Sequence, residues 1–115
     1  MDIEQLRKIC MQLPHVTEDV KWENDLCFCI GGKMFCITNF NPPMRITIKV
    51  KDDEFEELTA TENIKIADYV GRYKWITVTN ISRFSKKEWL HYIKQSYELI
   101  KEKLPKKILK EYNIS

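Results

Sequence analysis

Only three glycines and four prolines occur among the 115 residues, too few for a low-complexity segment, a linker or a long flexible tail. No apolar run approaches the roughly 20 residues that a membrane-spanning helix needs. Histidine occurs only as His15 and His91, and neither has a sequence partner for nucleophilic or acid–base chemistry. The one glycine pair, Gly31-Gly32, lies between strand-like runs and is not a phosphate-cradling loop. The start Met1-Asp2-Ile3-Glu4-Gln5 is acidic and amphipathic, unlike a signal peptide, so a cytoplasmic protein with reduced thiols is expected. These absences leave no catalytic residue, cofactor or metal to assign, and a non-enzymatic protein is expected.

What is present fits a globular chain expected to form one domain over residues 1–115, with 43% hydrophobic and 31% charged residues. The formal net charge of +2 conceals an uneven distribution. Residues 52–62 hold six acidic residues and no basic one, whereas residues 86–110 hold eight lysines against three glutamates. Such asymmetry fits either a basic surface for an anionic partner or two solvated helix faces of opposite sign.

The clearest element is a β-hairpin turning on Gly31-Gly32, because a glycine pair supplies the positive φ angles of a tight primed turn. A regular register pairs Ile30 with Lys33, Cys29 with Met34, Phe28 with Phe35, Cys27 with Cys36 and Leu26 with Ile37. Alternation then places Cys27, Cys29, Met34 and Cys36 on one face and Leu26, Phe28, Ile30, Phe35 and Ile37 on the other. Both faces are apolar, so helices cover one and something else must cover the other.

The other elements follow from periodicity. Asp2 to Leu13 reads as a helix with an Asp2/Gln5 capping box, stopped by Pro14. Residues 17–25 read as irregular, with Val20 and Trp22 as anchors. Met44 to Lys51 alternates, with Met44, Ile46, Ile48 and Val50 buried and Arg45, Thr47, Lys49 and Lys51 facing water. Asp52 or Asp53 caps a short acidic helix that reaches Thr59. Ile64 to Ile66 reads as an edge strand, Tyr69 to Lys74 as a turn, and Trp75 to Thr79 as a strand. Ser85 and Glu88 form the capping box of a final helix ending near Pro105, with Phe84 stapled to Trp89. A basic tail follows. The fold class is α+β: two layers, an antiparallel sheet of four to five strands with helices on one face, in the order α-β-β-β-α-β-β-α.

Several stretches resemble the MmcQ/YjbR family: Leu13-Pro14 with Thr17-Glu18, Phe28 to Phe35 around the glycine pair, and Lys51-Asp52-Asp53-Glu54-Phe55. Lys74-Trp75-Ile76-Thr77-Val78, Ser96-Tyr97-Glu98-Leu99 and Lys103-Leu104-Pro105-Lys106-Lys107 extend the resemblance over almost the whole chain. It implies a secretion-chaperone-like α+β fold and DNA binding, and it brings no catalytic residues. Where the family tends to have a Pro-Ala-Pro-Tyr-like run, this chain has Ile66-Ala67-Asp68-Tyr69.

Two surfaces compete for function. A nucleic-acid interface would combine Arg45, Lys49 and Lys51 on the wet side of the third strand with Arg72, Tyr73 and Lys74, and Lys33 at the hairpin tip. The cations would neutralise phosphates and the aromatic ring would stack on a base. The alternative is a chaperone-like module that binds another protein through Phe40, Met44, Tyr69 and Tyr73. Cys27, Cys29, Cys36 and Met34 on one ribbon face would be soft metal ligands, but their spacing departs from that of zinc knuckles, and small core residues are expected instead.

Overall fold

Asp2 begins the first helix as its sequence predicts: the carboxylate accepts from the Gln5 N–H at 2.9 Å, and Gln5 Oε1 accepts from the Asp2 N–H at 3.0 Å. The structure is a computed structural model and describes residues 1–114. From this cap the chain runs through α1 (Ile3–Met11), β1 (Val16–Lys21), β2 (Asp25–Ile30), β3 (Lys33–Asn39), β4 (Ile46–Lys49) and α2 (Asp52–Thr59). It continues through β5 (Ile64–Ile66), a 3-10 turn at Gly71–Tyr73, β6 (Trp75–Val78), α3 (Lys86–Lys101) and α4 (Lys106–Glu111). The strands form one antiparallel sheet in the order β1-β2-β3-β4-β6-β5.

The class is therefore α+β, with six strands and four helices among the described residues, where sequence periodicity predicts four to five strands and three helices. The missed strand is β1. It is an edge strand with Thr17, Asp19 and Lys21 on one side and Glu18 among the valines on the other, so no hydrophobic alternation marks it. Its turn into β2 lacks glycine; Trp22 and Glu23 adopt φ of +51° and +67° there. Glu18 is held from α1, accepting from Arg7 Nη2 at 2.6 Å and from Arg7 Nε at 2.8 Å. The missed helix is α4, which follows Pro105 and packs on the β2–β3 turn. A Cβ at Gly31 would lie 2.9 Å from both Leu104 and Ile108 side chains. Residue Lys51, rather than Asp52 or Asp53, precedes the first turn of α2, and Glu54 Oε1 accepts from its N–H at 3.3 Å.

The helices share one face of the sheet. Leu6 and Cys10 from α1, Phe55 and Leu58 from α2, and Trp89, Ile93 and Tyr97 from α3 join one core with Leu26, Phe28, Ile30, Ile46, Ile48, Ile76 and Val78. The predicted capping box of α3 is present, and Phe84 meets Trp89 edge to face at 5.0 Å.

The hairpin departs from its regular register in a way that decides both faces. Ile30 pairs with Lys33 and Cys29 with Met34 as predicted, but beyond a β-bulge Phe28 pairs with Cys36, Cys27 with Ile37 and Leu26 with Thr38. Phe35 is the extra residue. Both Phe35 and Cys36 consequently enter the helix-side core, while Ile37 moves to the face of Cys27 and Cys29.

Ser96 of α3 fastens this bulge. Its buried hydroxyl donates to the Phe35 carbonyl at 2.6 Å and accepts from the Lys49 N–H at 3.0 Å, so it bridges two backbone groups that the bulge separates. The next residue, Tyr97, packs edge to face on Phe35 at 5.4 Å and donates its hydroxyl to the Pro14 carbonyl at 2.7 Å. Together Ser96 and Tyr97 tie α3 to β3, to β4 and to the end of α1.

Candidate functional site

The bulge separates the four soft ligands predicted to share a face. Cys36 sits in the helix-side core, within hydrogen-bond range of the Cys10 thiol, whose pKa burial pushes far up. Cys27 and Cys29 stay on the opposite face; burial pushes Cys27 up to about 11 and raises Cys29 as well. Cys10, Cys27 and Cys29 are therefore protonated near neutral pH and behave as small apolar groups. Among the described residues no group of three or more His, Cys, Asp or Glu is arranged to hold a metal ion.

The basic residues predicted to line one wet face divide into two places. Strands β3 and β4 run antiparallel with Cys36 opposite Ile48, so Lys33 at the start of β3 lies at the same end of the sheet as Lys49 and Lys51. The 3-10 turn that carries Arg72 and Tyr73 and ends in Lys74 is at that end too, where the Val50 N–H donates to the Lys74 carbonyl at 2.9 Å. Arg45 precedes β4 at its other end, about 13 Å from Lys49 at 3.3 Å per residue.

Lys49 is a correction to the predicted exposed cation: only 9% of it is accessible, and its Nζ donates to the Tyr73 carbonyl. Alternation does place it on the open face, but residues 67–74 fold over that part of the sheet. Burial lowers its pKa, and the like charges of Lys103 and Lys74 lower it further, while Asp52 opposes them. Lys103, absent from the sequence prediction, thus joins this group. The only signal that could have found it was its place in the Lys103-Leu104-Pro105 stretch, because no periodicity ties that loop to β4.

Around this buried amine the exposed groups include Lys33, Lys51, Arg72, Tyr73 and Lys103, with the Asp52 carboxylate among the cations. The Arg72 guanidinium stands 4.8 Å from the centre of the Tyr73 ring, and the half-buried Lys74 ammonium lies 4.9 Å from that of Phe55. This end can hold an anion against several cations beside one exposed aromatic ring. The aromatics proposed for a protein partner do not gather: Phe40 and Met44 lie beside Met1 and Ile3, Tyr69 is at a groove on the open face, and Tyr73 is at the basic end.

That groove is the second feature of the open face. It encloses about 550 Å³, with Met34, Ile37, Ala67 and Val70 as apolar lining and Thr47 and Thr77 between them. The two threonine hydroxyls are 2.9 Å apart. Arg45, Lys65, Asp25 and Asp68 also face it, and Trp22 and Tyr69 form its lips. The sequence pattern does not reveal this site because it makes Trp22 an anchor, whereas Trp22 is 65% exposed.

Among the described residues no helix is long and apolar enough to cross a membrane. No curated protein matches the chain. Among solved structures, a Deinococcus radiodurans protein, DR2400, described by the domain DUF419, superposes with a TM-score of 0.84 at 25% identity, over 98% of this chain and 88% of that one. A Pseudomonas syringae protein superposes with a TM-score of 0.70 at 20% identity, over 86% of this chain and 98% of that one, a likeness of fold. The YjbR family model matches residues 11–99, most of the chain and all six strands. The chain belongs to the YjbR family.

Proposed function

We propose that this protein is a non-catalytic DNA-binding module of the cytoplasm that holds the phosphate backbone at the basic end of its sheet. The observation that carries this reading is the convergence of Lys49, Lys74 and Lys103 at one end of the sheet, where burial is the first cause of the lowered Lys49 pKa and the charges of Lys103 and Lys74 lower it further against the opposing Asp52. Like charges gathered at one end of a sheet cost free energy in isolation, and an anion placed among them removes that cost. Lys33, Lys51 and Arg72 extend the positive surface, and Tyr73, 53% exposed beside Arg72, offers a face on which a base can stack. Lys49 acts from beneath, fixing the Tyr73 carbonyl and with it the turn. Arg45 belongs to the groove rather than to this interface.

The test is fluorescence anisotropy of a labelled 20-nucleotide duplex and of its single strand. If four cations replace counterions on duplex DNA, affinity falls roughly 150-fold between 50 and 200 mM salt. Changing Lys51, Arg72, Lys74 and Lys103 together to alanine is expected to flatten that salt dependence, whereas Arg45→Ala leaves it intact. Absence of binding at 50 mM salt, or a quadruple variant that binds as the wild type does, refutes the proposal.

A further inference from the structure

The groove on the open face is chemically unlike the basic end. Its lining side chains Met34, Ile37, Ala67 and Val70 are apolar, and its volume of about 550 Å³ lies within the range of small-ligand pockets. Its two lips are aromatic, and both are held in a costly way. Trp22 and Tyr69 have φ of +51° and +66°, a left-handed conformation that is unfavourable for a bulky residue. Neither recovers that cost by packing, since Trp22 is 65% and Tyr69 100% exposed. Exposed aromatic rings kept in strained backbone on either side of an apolar hollow are poised for a ligand.

The charges in the groove define that ligand further. Among the described residues the Arg45 guanidinium has neither a carboxylate partner nor a side-chain hydrogen bond, although planar acceptors suit it best. Among the described residues Lys65 is engaged only by Asp68 at 3.9 Å, with both side chains substantially exposed. Asp25 and Asp68 also face the hollow, which disfavours a polyanion. Of the Thr47 and Thr77 hydroxyls, which bond to each other at 2.9 Å, one keeps a donor to spare for a ligand oxygen.

We infer that the open-face groove binds a small planar, largely apolar monocarboxylate, with its ring system between Trp22 and Tyr69 over Met34 and Ile37 and its carboxylate on Arg45. This site is independent of the DNA-binding reading, because it shares no residue with the basic end.

The probe is 2-naphthoate, titrated into isotope-labelled protein and followed by amide and methyl chemical shifts, with 2-naphthamide as the uncharged control. One saturable site is expected, with Kd of about 10 µM to 1 mM for a ligand of this size. Shifts are expected at Met34, Ile37, Thr47 and Thr77. Arg45→Ala is expected to weaken naphthoate roughly 10- to 100-fold and leave naphthamide unchanged, and Trp22→Ala to weaken both about 2- to 10-fold. Both side chains are exposed, so folding is not at stake; the naphthoate-to-naphthamide ratio on the wild type reads the same charge contact without any variant. The inference is overturned by no saturable shift at the groove or by equal affinity for the two probes. It is equally overturned if adenosine monophosphate binds the groove more tightly than naphthoate, or if the groove resonances move with protein concentration alone because a second copy covers it.

Discussion

Replacing Ser96 with alanine removes one oxygen atom and breaks two contacts at the centre of the sheet. The hydroxyl donates to the Phe35 carbonyl at 2.6 Å and accepts from the Lys49 N–H at 3.0 Å, and the residue is fully buried. The alanine variant leaves a buried carbonyl and a buried N–H with no partner and no water access. Each such group costs about 1–3 kcal/mol, so Ser96→Ala is expected to lose about 2–6 kcal/mol. That is a large share of the roughly 5–15 kcal/mol that holds a domain folded. At about 4 °C per kcal/mol for a chain of this size, Tm falls by roughly 8–24 °C. Urea denaturation followed by circular dichroism measures the loss, and hydrogen exchange at the Lys49 amide localises it: protection there is expected to fall more than at neighbouring Ile48. Ser96→Thr, which keeps the hydroxyl, is expected to cost less than alanine. A loss under about 1 kcal/mol with the Lys49 amide still protected would mean that β3 and β4 close directly on each other, and the bridging role assigned to Ser96 would be refuted.

The Arg7–Glu18 pair gives an acid-side prediction. Hydrogen bonds from Arg7 hold the Glu18 carboxyl below its ordinary value near 4.5, so the folded state binds fewer protons there than the unfolded state. The stabilisation is complete above pH 4.5 and is lost as pH falls through the lowered folded value; Glu18→Gln is expected to flatten that part of the stability profile, and an unchanged slope would refute it. At the hairpin, Gly31 and Gly32 both have positive φ, +57° and +79°, so alanine at either costs about 1–2 kcal/mol. Only at Gly31 does the new Cβ also press on Leu104 and Ile108 at 2.9 Å, against 3.3 Å to the Tyr112 hydroxyl at Gly32. Thermal melts are therefore expected to rank Gly31→Ala as the more destabilising, with faster amide exchange in α4; equal effects would show that α4 does not rest on the turn.

What could be read in the sequence followed from local physics. The caps at Asp2 and Ser85, the Phe84–Trp89 staple, the glycine turn and the alternation of Ile46 and Ile48 each depend on residues a few positions apart, and each is present. The misreadings depend on distant partners. Strand β1 is a strand because β2 offers it a ladder and Arg7 anchors Glu18. Helix α4 is held by a hairpin more than 70 residues earlier in the chain, through Gly31. Lys49 alternates as an outward residue should, yet residues 67–74 close over it.

The bulge is the deepest of these, because the misplaced cysteine and the unforeseen groove have one cause. A regular hairpin would set Cys36 beside Cys27 and Cys29 and send Ile37 under the helices. The sequence of β3 permits that pairing equally well, since both faces are apolar. Ser96 decides between them: its hydroxyl, delivered by α3 from 61 residues away, satisfies the carbonyl that the extra Phe35 leaves without a strand partner. Once Phe35 and Cys36 both turn inward, Ile37 must turn outward, and with Met34 it becomes apolar floor where alternation had predicted a thiol. The open face is then an apolar hollow rather than a ligand set for a soft metal. Its position in the middle of the sheet, away from the lysines gathered at the hairpin end, is what separates the groove from the basic end.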